Sequence, residues 1–268
     1  MFRGRLVKSV DLVALQLAAE PGALDLNRNR LEDALHRHAS EGALVVAPEL
    51  VTSGYDLDEI DVRGRELAEP LEGPTVALLR DVAVGSGATI VTGILEQADG
   101  RLYDTAVLVT PDGAAASYRK SHLFPPEQSR FAAGDELDTW PTPSGRVGLM
   151  ICFEHAFPEI ATTLALKGAQ ILAIPSAVPF GFEHLLTLRT RARAQDNQVF
   201  AVASNLAGNG FCGGSLIAGP RGEVLASAGT EEVALRATID LDAIERERTQ
   251  EPALRLRRPA LYGGAAGT

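Results

Sequence analysis

Cysteine is scarce in this chain: Cys152 and Cys212 are the only two among 268 residues. So few thiols cannot build a disulfide framework, and nothing in the sequence pairs these two, so both are read as reduced thiols of a cytoplasmic protein. Long apolar runs are absent as well. The nearest approach, VDLVALQLA after the basic start MFRGRLVK, is interrupted by Asp11 and Gln16 and falls short of the roughly 18 residues a membrane span needs. It reads as a buried first strand. Basic residues are outnumbered, 25 Lys and Arg against 35 Asp and Glu, and the formal net charge of −10 would repel phosphate backbones and anionic lipid. Neither nucleic acid nor membrane is therefore an expected partner. There is no Pro/Ser/Gly-rich linker and no repeat with a period of roughly 20–50 residues. With 46% apolar residues, one domain over 1–268 is expected, its tail from about 250 packing on the domain or on a partner subunit.

What is present alternates. A strand at about 9–17 leads into LNRNRLEDALHRHASEG, whose Leu26, Leu31, Ala34 and Leu35 have helical spacing closed by Gly42. ALVVAPEL is a short apolar strand that stops at Pro48-Glu49. GPTVALLRDVAVGSG is a helix with Pro74 in its first turn, and ATIVTGILE, TAVLVT and AAASYRK are strands, the last two joined through PDG. RVGLMIC is a strand ending at Cys152, and FPEIATTLALKGAQ is the helix that follows. ILAIPSA, QVFAVASN, GGSLIAG and VALRATID complete the strands, with HLLTLRTRARAQDN and LDAIERERT as helices. Because PDG and PRGE mark hairpins, the sheets must mix parallel and antiparallel pairs. Two packed sheets with helices outside fit better than one doubly wound sheet.

Three reactive residues stand where apolar strands stop: Glu49 in APE, Lys120 in YRK and Cys152 in ICFE. In open α/β sheets that edge is where ligands collect. A thiol is a useful nucleophile only as thiolate, which a nearby cation favours and a nearby carboxylate generates by taking the proton. A lysine and a glutamate beside one cysteine supply both.

In VVAPEL, YRKSHLF and GLMICFEHAFPE the sequence resembles the carbon–nitrogen hydrolase (nitrilase) superfamily, on its amidase-like branch. The likeness extends through RARAQDNQVFAVASN, GGSLIAGPRGEVLA and RRPALY, and so covers nearly the whole chain. It implies an α/β fold, a four-layer αββα sandwich of two mixed sheets with helices on the outer faces, paired into a homodimer or a higher homo-oligomer. It also implies roles: Cys152 as nucleophile, Glu49 as general base, and Lys120 with the Phe153 N–H as stabilisers of the oxyanion. Glu127, seven residues beyond Lys120, takes a supporting place, holding Lys120 charged or orienting the substrate nitrogen. No cofactor and no metal is implied. The substrates are a small amide and water.

Competing patterns carry less. A cysteine–histidine dyad through His155 or His122 would leave Glu49 and Lys120 without purpose. Glu32, His36 and His38 mimic metal ligands but sit on a helix rich in solvent-type residues. The GxGxxG of Gly208–Gly213 precedes a strand rather than the helix a dinucleotide requires. RTRARA reads as a structural face or an ion-pair ladder. Phe153-Glu154 resembles the amidase and carbamoylase branches, whereas nitrile-cleaving relatives tend to have Trp-Glu there. Many relatives carry an arginine four residues after the cysteine, where this chain has Ala156, so a neutral or cationic amide is expected rather than an N-carbamoyl acid. Phe124, Phe180 and Phe182 are candidate apolar walls, Glu183 and His184 candidate contacts to the substrate's far end, and Glu154, His155 and Ala177 further candidate substrate-binding residues. Acyl transfer from the same thioester to an amine, nitrile or carbamoyl hydrolysis, and a non-catalytic binding protein of the same fold are the alternatives.

Overall fold

The computed structural model of the protein describes residues 9–262; the basic start at 1–8 and the end of the tail at 263–268 lie outside the described residues. The first half of the chain forms β1 (Ser9–Gln16), α1 (Leu24–His38), β2 (Leu44–Val46), α2 (Leu57–Leu67), α3 (Pro74–Ser86), β3 (Thr89–Ala98), β4 (Arg101–Val109) and β5 (Ala115–Arg119). The second forms β6 (Thr139–Thr142), β7 (Gly145–Leu149), α4 (Pro158–Leu166), β8 (Ile171–Ser176), α5 (Glu183–Asn197) and β9 (Phe200–Asn205). It continues with β10 (Ala207–Gly208), β11 (Phe211–Cys212), β12 (Leu216–Ala218), β13 (Val224–Ser227), β14 (Val233–Asp240) and α6 (Asp242–Gln250).

One sheet has the order β14-β1-β2-β3-β4-β5 and the other β13-β12-β9-β8-β7-β6. Each is parallel at its centre, β1-β2-β3 and β7-β8-β9, and antiparallel toward its edges. The hairpins expected at PDG and PRGE join β4 to β5 and β12 to β13. In β1 the period of two is direct: Leu12 and Ala14 face the second sheet, meeting Val147, Ile171 and Val202 in one core, while Val13 and Leu15 face α1 and α3. Leu44, Val45 and Val46 of β2 are all fully buried, as a central strand covered on both faces requires. On the far side, Leu172 and Ile174 of β8 pack on Leu164 of α4 and Leu186 of α5. The four-layer αββα sandwich is thus the observed architecture.

Three elements were not anticipated. Helix α2 has only Ile60, Gly64 and Leu67 buried, so its apolar periodicity is thin; its clear signal is the N-cap, Asp56, whose carboxylate accepts from the N–H groups of Asp58 and Glu59. The others are the edge strand β6 and the two-residue ribbon β10–β11, which occupies the Gly208–Gly213 motif. No helix among the described residues is long and apolar enough to cross a membrane.

The consequence for function is positional. Because β5 is antiparallel to β4, and β4 to β3, the carboxyl ends of β2, β3 and β5 share one edge of their sheet. The Glu49 N–H donates to Ser176 O at 3.4 Å, tying that edge to the carboxyl end of β8 in the other sheet. Glu49, Lys120 and Cys152 therefore leave their strands toward one place.

Candidate active site

The backbone at this edge is held in sparsely populated conformations. Cys152 has φ 43° and Leu50, next to Glu49, has φ 45°, each costing about 1–3 kcal/mol that the surrounding packing must impose. Around Glu49 the chain pairs closely with β3: the Gly93 N–H donates to Pro48 O at 3.0 Å and its carbonyl accepts from the Val51 N–H at 3.2 Å. A Cβ on Gly93 would stand 2.6 Å from Glu49 Cα, so only glycine permits this approach. From Cys152 the chain enters a 3-10 turn through Ala156. Phe153 is its second residue, and the first N–H groups of a helix have no acceptor within it.

Behind Cys152 lies a buried cluster of four charged side chains. Lys120 Nζ donates to Glu49 Oε1 at 2.6 Å, Glu127 Oε1 at 2.8 Å and Asp104 Oδ2 at 3.1 Å, with none of the four exposed beyond 1%. Three ammonium hydrogens thus meet three carboxylates. The carboxylates converge as metal ligands would, but the cation among them is the lysine's own. Glu127 is further held by the Tyr55 hydroxyl at 2.6 Å and, through Oε2, by the Phe124 N–H at 2.7 Å. Glu49 Oε2 and Asp104 Oδ1 have no partner.

These environments set the protons. Burial by itself would lower Lys120, but Glu49, Asp104 and Glu127 more than reverse it and hold the ammonium well above the usual lysine range. Glu49 is pushed well above the usual carboxylate range by burial, against the pull of Lys120 and with the push of Asp104 and Glu127. Burial and the Glu49 charge likewise raise the Cys152 thiol, which Lys120 and the backbone of Ala177 oppose. At rest, then, sulfur keeps its proton beside a carboxylate whose free oxygen is hard to leave charged.

A second buried carboxylate holds the geometry. Glu154 Oε1 accepts from the Ser121 N–H at 2.9 Å, the His122 N–H at 3.1 Å and the hydroxyls of Ser121 and Tyr118, while Oε2 accepts from the Ile151 N–H at 2.8 Å. It fastens the loop after Lys120 to the turn at Cys152. Expected as a substrate contact, it is instead fully buried and consumed by these bonds.

Cys152 opens onto a cavity of about 450 Å³. Among the candidate substrate-binding residues Phe124, His155 and Ala177 line it, together with the Phe153 ring. Phe180, Glu183 and His184 do not: all three are exposed, and Glu183 accepts from the Gly181 N–H at the start of its own helix. The same segment contributes Phe182, an expected wall residue at the N-cap of α5, and, from within the helix, Leu185 and Arg189. His155 is no partner for the thiol. Its Nε2 accepts from Arg189 Nη1 at 3.3 Å, and burial together with Arg189 and Arg193 pulls its pKa down to about 3, so the ring stays neutral. His122 stacks on Phe157.

The family model for carbon–nitrogen hydrolases matches residues 13–249. The chain belongs to that family. It is 38% identical to an (R)-stereoselective amidase of a Pseudomonas species over 93% of this chain and 92% of that one, and 35% identical to the omega-amidase of Homo sapiens over 84% and 86%. A solved CN-hydrolase superfamily protein of Xanthomonas campestris, carrying an arsenic adduct in its active site, superposes with a TM-score of 0.85 at 25% identity, covering 93% of this chain and 97% of that one.

In this carbon–nitrogen hydrolase the residues missed from sequence are Tyr55, Asp104, Leu185, Arg189 and the tip of the β10–β11 ribbon, Asn209–Phe211. Asp104 had a signal, an acid in the midst of the apolar strand LYDTAVLV. Tyr55 and Arg189 had none beyond their type. Ala156 leaves no cation on the cysteine turn, as read from sequence, but Arg189 brings one to the cavity from α5.

Proposed function

We propose that this carbon–nitrogen hydrolase cleaves the C–N bond of small amides through a thioester on Cys152. The observation that carries this reading is the Glu49–Lys120–Glu127 cluster set behind a left-handed cysteine at the mouth of an apolar cavity. Glu49, through its unpartnered oxygen, takes the thiol proton as sulfur attacks the amide carbon. The oxyanion that forms accepts from the Phe153 N–H, a contact of the kind whose loss costs on the order of 3–4 kcal/mol of barrier. Lys120 supports it by charge, since its three hydrogens are already held. Protonated Glu49 then gives its proton to the departing nitrogen, ammonia leaves, and a thioester remains. Water, deprotonated by Glu49, attacks the thioester, the acid departs, and the sulfur recovers its proton. Glu127 and Asp104 are positioning residues that keep Lys120 charged and in place.

The direct test is the mass of the protein after mixing with an amide. A Glu49→Gln variant, slowed in releasing the thioester, is expected to gain the acyl mass on the peptide containing Cys152. An unmodified Cys152 with turnover continuing would sink the thioester reading.

Asp104 raises Glu49 through its charge. Asp104→Asn removes that charge, so the Glu49 pKa falls and the base is ionised at lower pH. The acid limb of the pH profile of kcat/KM, which reports the free enzyme, is expected to move to lower pH. A limb that stays or moves upward would contradict Glu49 as base.

A further inference from the structure

Ammonia is the leaving group of the proposed reaction, so whatever occupies the cavity of about 450 Å³ beside Cys152 belongs to the acyl part of the amide. The wall offers a cationic chain no counterion. Glu127 is the one carboxylate among the described lining residues, and Lys120, Tyr55 and the Phe124 N–H already hold it. The aromatic residues of the wall differ in how they are placed. Phe124 and Phe182 are 40% and 50% exposed and so stand at the rim. Phe211, at the tip of the β10–β11 ribbon, is half-buried against the core, and its ring meets that of Tyr55 edge-on, centroids 5.9 Å apart.

The ribbon is fastened on both sides. The Ala207 N–H donates to Leu17 O at 2.9 Å and Asn209 Nδ2 to Ala19 O at 3.0 Å, on the chain leaving β1. Opposite, the Phe180 N–H donates to Gly210 O and the Cys212 N–H to Val178 O, both at 3.0 Å. None of these bonds uses the Phe211 side chain, so its ring is placed by a frame that survives its removal. Tyr55 in turn donates to Glu127 Oε1 at 2.6 Å, the oxygen that also accepts from Lys120. One ring contact therefore joins the cavity wall to the ion cluster.

We infer that Phe211 is a specificity-determining residue that ends the acyl site and selects amides whose apolar chain reaches its ring, and that Tyr55 is the positioning residue tying this wall to Glu127. The inference rests on the amide-hydrolase reading above. It narrows the neutral or cationic amide expected from Ala156 to the neutral one. Each methylene moved from water onto such a wall favours the complex by about fourfold.

Propanamide, pentanamide and the cationic 5-aminopentanamide test this. In the parent, kcat/KM for pentanamide is expected to exceed that of either other amide by about tenfold. Phe211→Ala is expected to bring the pentanamide-to-propanamide ratio down to about twofold, mainly through KM, and Phe211→Leu to recover part of it. Phe180→Ala, on the same segment but exposed and outside the cavity, should leave the ratio as it is. Tyr55→Phe keeps the ring and loses the bond to Glu127, so kcat should fall about tenfold for both neutral amides with their ratio kept. Binding is read without turnover by titrating pentanamide and propanamide into Cys152→Ala, with and without Phe211→Ala. A ratio indifferent to Phe211→Ala, a preference for propanamide or 5-aminopentanamide, or a Tyr55→Phe variant changed only in KM would overturn the inference and leave the hydrolase reading standing. If no amide is hydrolysed but Cys152→Ala favours pentanamide in a way that Phe211→Ala abolishes, the acyl site stands and the hydrolase reading fails.

Discussion

Cys152→Ala is expected to lower kcat for amide hydrolysis by about 10⁴-fold or more, the scale on which removing a covalent nucleophile acts. The size follows from the division of labour at the site. Without sulfur there is no thioester, and what remains is the hold on the amide and the Phe153 N–H, which stabilise an oxyanion only if water attacks unaided. The variant is expected to fold, because the cost of a left-handed residue at φ 43° is borne by Glu154 and its five bonds and not by the thiol. Cys212→Ala is the control: that thiol is buried beside Asn205 away from the ion cluster, and its loss should change kcat by less than about twofold. Ammonia release from an amide reads both. Activity of Cys152→Ala within tenfold of the parent would mean that another group carries the attack.

Lys120→Met is expected to fail twice, in stability and in rate. The side chain is fully buried and its ammonium donates to three carboxylates at 2.6–3.1 Å. Taking it away leaves buried charges without a counterion, a change that costs about 3–5 kcal/mol, or about 10 °C in Tm for a chain of this size. The pH dependence has a definite sign. Glu49 and Glu127 are already raised above the ordinary 4.5 by burial, and Lys120 is what pulls them down. Without Lys120 they rise further above their unfolded values. The variant's deficit should therefore be smallest in acid, where both carboxyls are protonated in either state, and should grow as pH climbs from about 4.5 through the folded values. Hydrolysis should fall by about 10²–10³-fold as the charge behind the oxyanion is lost. A variant that melts with the parent at neutral pH would show that the cluster does not depend on its ammonium.

How much of this was legible beforehand differs by residue. Glu49, Lys120 and Cys152 could be read because each stands where a run of apolar residues stops, and a strand's end is a local property of sequence. The sandwich followed from alternating strand and helix segments together with two turn motifs that require antiparallel pairs. Glu154 was misassigned because the sequence gives its position two residues after Cys152 but not the neighbours it meets, Tyr118, Ser121 and the His122 N–H, which come from β5 of the other sheet and the loop after it. Phe180, Glu183 and His184 were misassigned because the start of α5 decides which turn of that segment faces inward, and a shift of two residues exchanges cavity wall for solvent.

The sequence by itself therefore determined the kinds of chemistry available: a thiol, a carboxylate and an ammonium at strand ends. Only the tertiary structure decided their company. Tyr55 reaches Glu127 across 72 positions and Lys120 reaches Glu49 across 71, while Asp104 enters the cluster from the strand beside Lys120. Arg189 reaches the cavity from a helix whose charge pattern read as a structural face or an ion-pair ladder. Local sequence fixes which way a strand or helix can present its side chains. Which charges share a buried space, and so which protons are held, depends on how two sheets and their helices close on each other.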